Sequence, residues 1–159
     1  MTKRVVVVGG SGFIGRKVCE VLAGRGYFVS IYDLESPCPA LAGFSVKVGS
    51  IHDTSSLAAF CDGAEIVYNF AGLAALDEGA GNAEETVTLN ILGNISVMRA
   101  CCSSLSVKRY IYASSIYSLS SAGGFYRCSK QSAELYIDEF SKRFGLPYTI
   151  LRIGSVFGP

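Results

Sequence analysis

The 159-residue sequence has one histidine, His52, no Cys-x-x-Cys pair among its six cysteines, and charged side chains at only 17% of positions. With neither a second histidine nor paired cysteines there is no credible zinc set, and no metal is expected. Nor is there an excess of either charge. Fourteen basic and 13 acidic side chains leave a formal net charge of +1, which gives no footprint for nucleic acid or an anionic membrane surface. A long apolar run is also missing. Lys3 and Arg4 precede four valines, but Gly9 and Gly10 stop them far short of a signal peptide's core or a membrane span. A cytoplasmic chain with reduced, partly buried thiols is expected. Apolar residues fill 50% of positions, which excludes a disordered tail and points to one well-buried domain over residues 1–159.

What is there alternates between short apolar runs and helical stripes. The β-branched run 5–8 reads as a parallel strand buried on both faces. Ile14, Val18, Val21 and Leu22 share one face of a following helix that Gly24 and Gly26 end. Further strands are expected at 28–32, 44–48, 66–70, 109–113 and 148–153. Helices are expected over 57–61 behind an Asp53 cap, over 84–102 and over 126–144. Residues 35–43, with Pro37 and Pro39, read as a loop or a single helical turn. This alternation predicts an α/β fold, a doubly wound parallel sheet, whose ligands bind beyond the carboxyl ends of the strands.

Two motifs fall just after strands. Gly9-Gly10-Ser11-Gly12-Phe13-Ile14-Gly15 joins the first strand to the first helix. Gly9 permits a tight turn, Gly12 lets the backbone approach a pyrophosphate, and Gly15 lets the helix pack close to the strand. The helix then offers free N–H groups and the positive end of its dipole to an anion. Glycines also serve ordinary turns; the position between a buried strand and an amphipathic helix is what gives these their weight. Asp33 ends the second strand, 18 residues past Gly15. A carboxylate there accepts from both adenosine ribose hydroxyls and repels a 2′-phosphate, which favours NAD over NADP.

Tyr126 and Lys130 stand four apart on one helical face. A lysine ammonium close to a phenol favours the phenolate, the form that takes a proton. Ser114-Ser115, where the fifth strand ends, supplies a hydroxyl nearby. Tyr110 and Tyr112 alternate on that strand and read as packing residues. Cys128 reads as helix packing, and His52 as a surface-loop residue.

Together these motifs resemble the cofactor-binding half of the extended short-chain dehydrogenase/reductase family, the NAD-dependent sugar epimerases and dehydratases, over residues 5–159. The segments 69–76 and 151–159 resemble further family stretches, the latter Leu-Arg-x-x-Asn-Val-Tyr-Gly-Pro. The resemblance implies a Rossmann fold of about six strands without the substrate-binding lobe. It implies Phe13 and Ile14 N–H groups at the pyrophosphate, Asp33 at the ribose and Ser50 and Ile51 at the adenine. Phe70, Ala71 and Gly72 would run along the cofactor, with Asn90 beneath its nicotinamide half. Tyr126 would be the catalytic base, Lys130 would hold the nicotinamide ribose, and Ser115, rather than Ser114, would hydrogen-bond the reacting hydroxyl.

Several positions depart from the family's pattern. Ser50 replaces a usual aspartate, Asn69 a frequent histidine, and Ser155 an asparagine that touches the sugar nucleotide. Only 11 positions separate Ser115 from Tyr126, about half the usual spacing, which implies an altered substrate mouth. Ile116 and Tyr117 stand where dehydratases carry acidic residues, so a 4,6-dehydratase is disfavoured. The expected function is that of a nucleotide-sugar epimerase's cofactor domain, with little turnover alone. A sugar or carbonyl reductase using NAD(P) and a non-catalytic dinucleotide sensor are the alternatives. A homodimer through the long fourth and fifth helices is a further implication, with Gly93, Ser96 and Ala100 allowing close packing.

Overall fold

The four valines of residues 5–8 carry no polar side chain to turn toward water, and all four are at most 1% exposed. They form the centre of a six-stranded sheet in a computed structural model that describes residues 2–35, 39–74 and 83–158. Pro37, the 75–76 end of the fourth-strand segment, and Pro159 lie outside the described residues. The strands are β1 (Arg4–Val8), β2 (Phe28–Asp33), β3 (Ser45–Val48), β4 (Ile66–Asn69), β5 (Arg109–Ser115) and β6 (Tyr148–Ile153). They lie in the order β3-β2-β1-β4-β5-β6, every pair parallel. The order reverses between β1 and β4, which opens a crevice at the carboxyl ends of those strands.

Alternation along the strands divides the core in two. Val6 and Val8 pack with Val67, Tyr110 and Tyr112 beneath three helices: α2 (Thr54–Cys61), α4 (Gly93–Ser103) and α5 (Gly124–Phe144). Val5 and Val7 pack with Val29 and Ile31 beneath α1 (Phe13–Gly24), through Cys19 and Leu22. Among the described residues α1 is the one α-helix on that face, where Leu41 is buried as well. Ile66, Tyr68 and Phe70 stay half-buried at its margin, and Leu151 is exposed.

Local signals fix the helix ends. Asp53 caps α2, its Oδ1 accepting from Ser56 N at 2.9 Å. Arg4 holds the other end of α2 by donating to the carbonyls of Phe60 and Asp62 at 2.9 and 2.6 Å. Gly145, at φ 68°, stops α5 in a conformation that side chains rarely adopt.

Three details differ from the sequence reading. α5 starts at Gly124, two residues before Tyr126. The stretch read as one helix over 84–102 is interrupted: a short α3 (Ala83–Thr86) runs through a π-helical turn, Val87–Leu92, into α4. Two of the three small residues assigned to partner packing are instead used within the chain. Gly93 is buried, with Ile51 so close that a Cβ would meet it at 3.0 Å, and Ala100 is fully buried. Within the 35–43 stretch a single 3-10 turn forms at Pro39–Leu41, the one helical turn allowed for. Among the described residues no helix is long and apolar enough to cross a membrane.

Candidate functional site

The crevice holds two adjoining cavities that share Gly9, Gly12, Phe70 and Gly72 in their walls. One, of about 370 Å³, lies on the β2 side; the other, of about 540 Å³, lies over β5.

The glycines of the β1–α1 loop do different work. Gly9 has φ 76°, and a Cβ on it would stand 2.5 Å from Ala71 N. A Cβ on Gly15 would run into the Gly9 carbonyl and come within 2.9 Å of Gly10 Cα. Both are demanded by the fold. Gly12 is extended, at φ −69° and ψ 168°, and a Cβ there would meet only Gly9 O, at 3.5 Å. The space in front of Gly12 is open cavity. α1 has no side-chain cap, so its first N–H groups, at Phe13 and Ile14, lack an intrahelical acceptor and border the crevice. Ser11 Oγ is buried without a partner at the same place. An uncapped helix end beside an orphaned hydroxyl fits an anionic group.

Asp33 stands at the end of β2, where its carboxylate braces the loop: Oδ2 accepts from Ser11 N at 2.8 Å and Oδ1 from Glu35 N at 3.3 Å. It lines the smaller cavity with Ser50, Ile51, Phe70, Ala71 and Gly72. His52 lines it too, and so does Leu89, which the sequence reading did not single out. Ser50 Oγ accepts from His52 N at 3.2 Å, and Tyr32 Oη donates to Ser50 O at 3.1 Å.

Above β5 the larger cavity brings Ser115, Tyr126 and Lys130 together. Lys130 is buried. Its Nζ donates to Ala113 O at 2.8 Å and sits over two rings, 4.8 Å from the Tyr112 centroid and 5.6 Å from that of Tyr126. Burial pushes its pKa down to about 8, against the pull of the Glu134 carboxylate. Tyr117 packs edge-on against Tyr126, centroids 6.5 Å apart. The short link between Ser115 and Tyr126 is a 3-10 turn, Ile116–Leu119, followed by the left-handed Gly123 and Gly124.

Both serines border the larger cavity, and what separates them is how their hydroxyls are engaged. Ser114 Oγ is committed to Glu134 Oε1 at 2.5 Å. Ser115 Oγ accepts from Tyr117 N at 3.3 Å and keeps its proton for another acceptor. This is a physical reason to prefer Ser115 at the site. Asn90, in the π-helical turn, is buried and fully engaged. Its Oδ1 accepts from Leu73 N at 2.7 Å, and its Nδ2 donates to Leu73 O at 3.0 Å and Ser129 Oγ at 2.9 Å. It ties the loop after β4 to α5. One step deeper, Asn69 Oδ1 accepts from Ala71 N at 3.1 Å while its Nδ2 donates to Tyr110 Oη at 2.9 Å.

Tyr112, Glu134 and Leu73 were missed as parts of the site. Tyr112 was visible only as half of an alternating pair. Glu134 carried a usable signal: it continues the four-residue spacing of Tyr126 and Lys130 along α5.

A doubly wound sheet with an open glycine loop, a strand-end carboxylate and a tyrosine–lysine pair defines a dinucleotide-binding domain of the short-chain dehydrogenase type. The model of the NAD dependent epimerase/dehydratase family matches residues 5–159, and the chain belongs to that family. Among solved structures it is similar to UDP-glucose 4-epimerase from Thermotoga maritima, crystallised with UDP-glucose. The identity is 27% and the TM-score 0.87, over 98% of this chain and 57% of that one. UDP-glucose 4-epimerase from Brucella ovis, in complex with NAD, gives 27% identity and a TM-score of 0.85, over 95% and 51%. A curated relative, 3 beta-hydroxysteroid dehydrogenase/Delta 5-->4-isomerase of Mycobacterium tuberculosis, is 32% identical over 117 residues, 70% of this chain and 31% of its own length. The chain thus spans about half the length of the epimerases and matches about a third of the steroid enzyme.

Proposed function

We propose that the chain is the NAD-binding part of a nucleotide-sugar epimerase. The observation that carries this reading is the meeting of Tyr126, buried Lys130 and Ser115 in one cavity, joined through Gly9 and Gly12 to the loop end of the crevice. NAD, held by the N–H groups of Phe13 and Ile14, by Asp33 and by Lys130, would supply the hydride acceptor and, for the return step, the hydride donor. Ser115 would hydrogen-bond a substrate hydroxyl and Tyr126 Oη would receive its proton. Lys130, when protonated, offsets the negative charge of that phenol and of the dinucleotide. Ser50, Ile51 and Ala71 would flank the adenosine, and Asn90 would hold Leu73 and α5 in place beneath the reacting end. The Asp33 carboxylate in the wall of the smaller cavity supports NAD over NADP. A cytoplasmic location and a homodimer are parts of the same proposal.

Calorimetric titration of the chain with NAD and NADP tests the first part. Binding of NAD at least about tenfold tighter than NADP is expected, a difference of about 1.4 kcal/mol; equal affinities, or none, would refute it. Incubation of the whole epimerase of which the chain would be part with UDP-hexoses and NAD tests the second: an inverted sugar without accumulated NADH supports epimerisation. The likeness to the steroid dehydrogenase favours a second reading, a dehydrogenase or reductase with net redox change, and NADH formed in proportion to ketone would select it.

A further inference from the structure

Tyr126, Lys130 and Glu134 follow one another at four-residue steps, one face of α5 turned toward the end of β5. The first two belong to the reading above; the third has a bonding pattern of its own. Glu134 Oε1 accepts from Ser114 Oγ at 2.5 Å and from Arg152 Nε at 3.1 Å, and its Oε2 accepts from Arg152 Nη2 at 2.7 Å. Ser114 and Arg152 are register partners across β5 and β6. One carboxylate therefore joins a helix and two strands at the strand end where Ser115 stands. One turn earlier Lys130 grips the adjacent residue, Ala113, by its carbonyl. The side chain of Glu134 is only 13% exposed, so this is no loose surface pair of the kind that contributes little.

We propose that Glu134 is a positioning residue for the reaction end: through Ser114 it fixes the strand end that carries Ser115 opposite Tyr126, and it holds a carboxylate one helical turn from Lys130 on the same face of α5. This deepens the function proposed above and rests on it. The charged and titratable groups facing Lys130 Nζ are few. Tyr112 of β5 and Tyr126 of α5 present their rings, Glu134 presents its carboxylate, and Arg152 of β6 lies beyond Glu134, bound to it. Among the described residues of the π-helical turn and the loop after β4, the neutral Asn90 and Gly72 come near it. Among the described residues Glu134 is thus the one anion acting on the buried ammonium, and Arg152 keeps that anion in place while partly cancelling it.

The test is the ionisation of Lys130, followed by nitrogen-detected NMR of the lysine side chains, with the resonance assigned by its loss in Lys130→Met. In Glu134→Gln, which keeps one acceptor oxygen for Ser114 and Arg152 Nε but removes the charge, the Lys130 midpoint is expected to fall by about one pH unit. Glu134→Asp is expected to restore most of it. Arg152→Gln, which unmasks the carboxylate, should move the midpoint the opposite way and serves also if the first variant does not fold. NAD titrated across the same range should bind more weakly to Glu134→Gln once its lowered midpoint is passed. Hydrogen exchange in Glu134→Ala should quicken at Ser115 and Ile116 while β1 stays protected. An unmoved Lys130 midpoint in folded Glu134→Gln, or a shift of the same sign in Arg152→Gln, overturns the proposal. Failure of the wild-type chain to bind NAD would overturn the proposed function instead, and leaves the Lys130 midpoints to decide the charge assigned to Glu134.

Discussion

The two ends of the crevice are built by different means. At the β1–α1 loop the wall is backbone: glycines at Gly9, Gly12 and Gly15, free helix N–H groups, and one carboxylate that braces the turn. Over β5 the wall is held by side chains, several of them buried and polar, bonded across elements far apart in sequence: Asn90 to Leu73 and Ser129, Lys130 to Ala113, Glu134 to Ser114 and Arg152. At Gly9 and Gly15 the first end is set by steric necessity and tolerates no bulk. The second is set by satisfied hydrogen bonds and a costly buried charge, so it can be loosened by degrees. Folding and ligand binding should accordingly separate at the loop and remain entangled over β5.

The sharpest way to break this contrast is Gly15→Val. Its side chain has no place between Gly9 and Gly10, and a loss of more than about 4 kcal/mol in urea unfolding, or no folded protein, is expected. Next comes Lys130. Its pKa falls from 10.5 to about 8 on folding, so between those values the unfolded chain still holds a proton that the folded chain has released. Stability should therefore rise with pH across that window, and below about pH 8 the full cost of the buried charge is present, about 3 kcal/mol at most. Lys130→Met should abolish this rise, read as the difference between wild-type and variant urea midpoints across the window. A parallel pH dependence in the variant would show that the charge is not buried. Asn90→Ala leaves the Leu73 backbone pair and Ser129 without their partner and is expected to cost about 2 kcal/mol, together with weaker NAD binding. The smallest stability effect should be that of Gly12→Ala, within about 0.5 kcal/mol, because its methyl group enters open cavity. Calorimetry should nevertheless show NAD affinity falling by about tenfold or more. Were Gly12→Ala as destabilising as Gly15→Val, the division between fold-demanded and ligand-demanded glycines would be wrong.

The same contrast explains what could be read from the amino-acid sequence. The strands and the order of elements were visible because two-sided burial leaves an uninterrupted apolar run such as Val5 to Val8, and the loop was visible because sterics admit nothing but glycine at Gly9 and Gly15. Asp53 announced its cap by type and position. Over β5 the pattern gave pairs but not the bonds between them. Tyr126 and Lys130 declared themselves by spacing, whereas the seat of Lys130 on the ring of Tyr112 needs the sheet to be assembled first. Ser114 and Ser115 could be ranked only by resemblance until Glu134 was seen to occupy one of them. The π-helical turn has no composition of its own: Val87 to Leu92 fit a regular helix as well, and only the bonds that Asn90 makes to Leu73 and Ser129 show why the wider turn holds.

That turn makes the interior of a helix sensitive to length. Insertions and deletions are ordinarily absorbed at loop tips, where the flanking elements keep their orientation. Between Val87 and Leu92 the chain already carries a residue beyond what a regular helix would use, so losing one would restore a uniform helix whose halves keep their facing but which lacks the wide turn that carries Asn90. Asn90 would lose its seat against Leu73 and Ser129, while Val97 and Met98 of α4 would stay in the core. Over evolutionary time this segment should exchange residues freely on its solvent side yet keep its count.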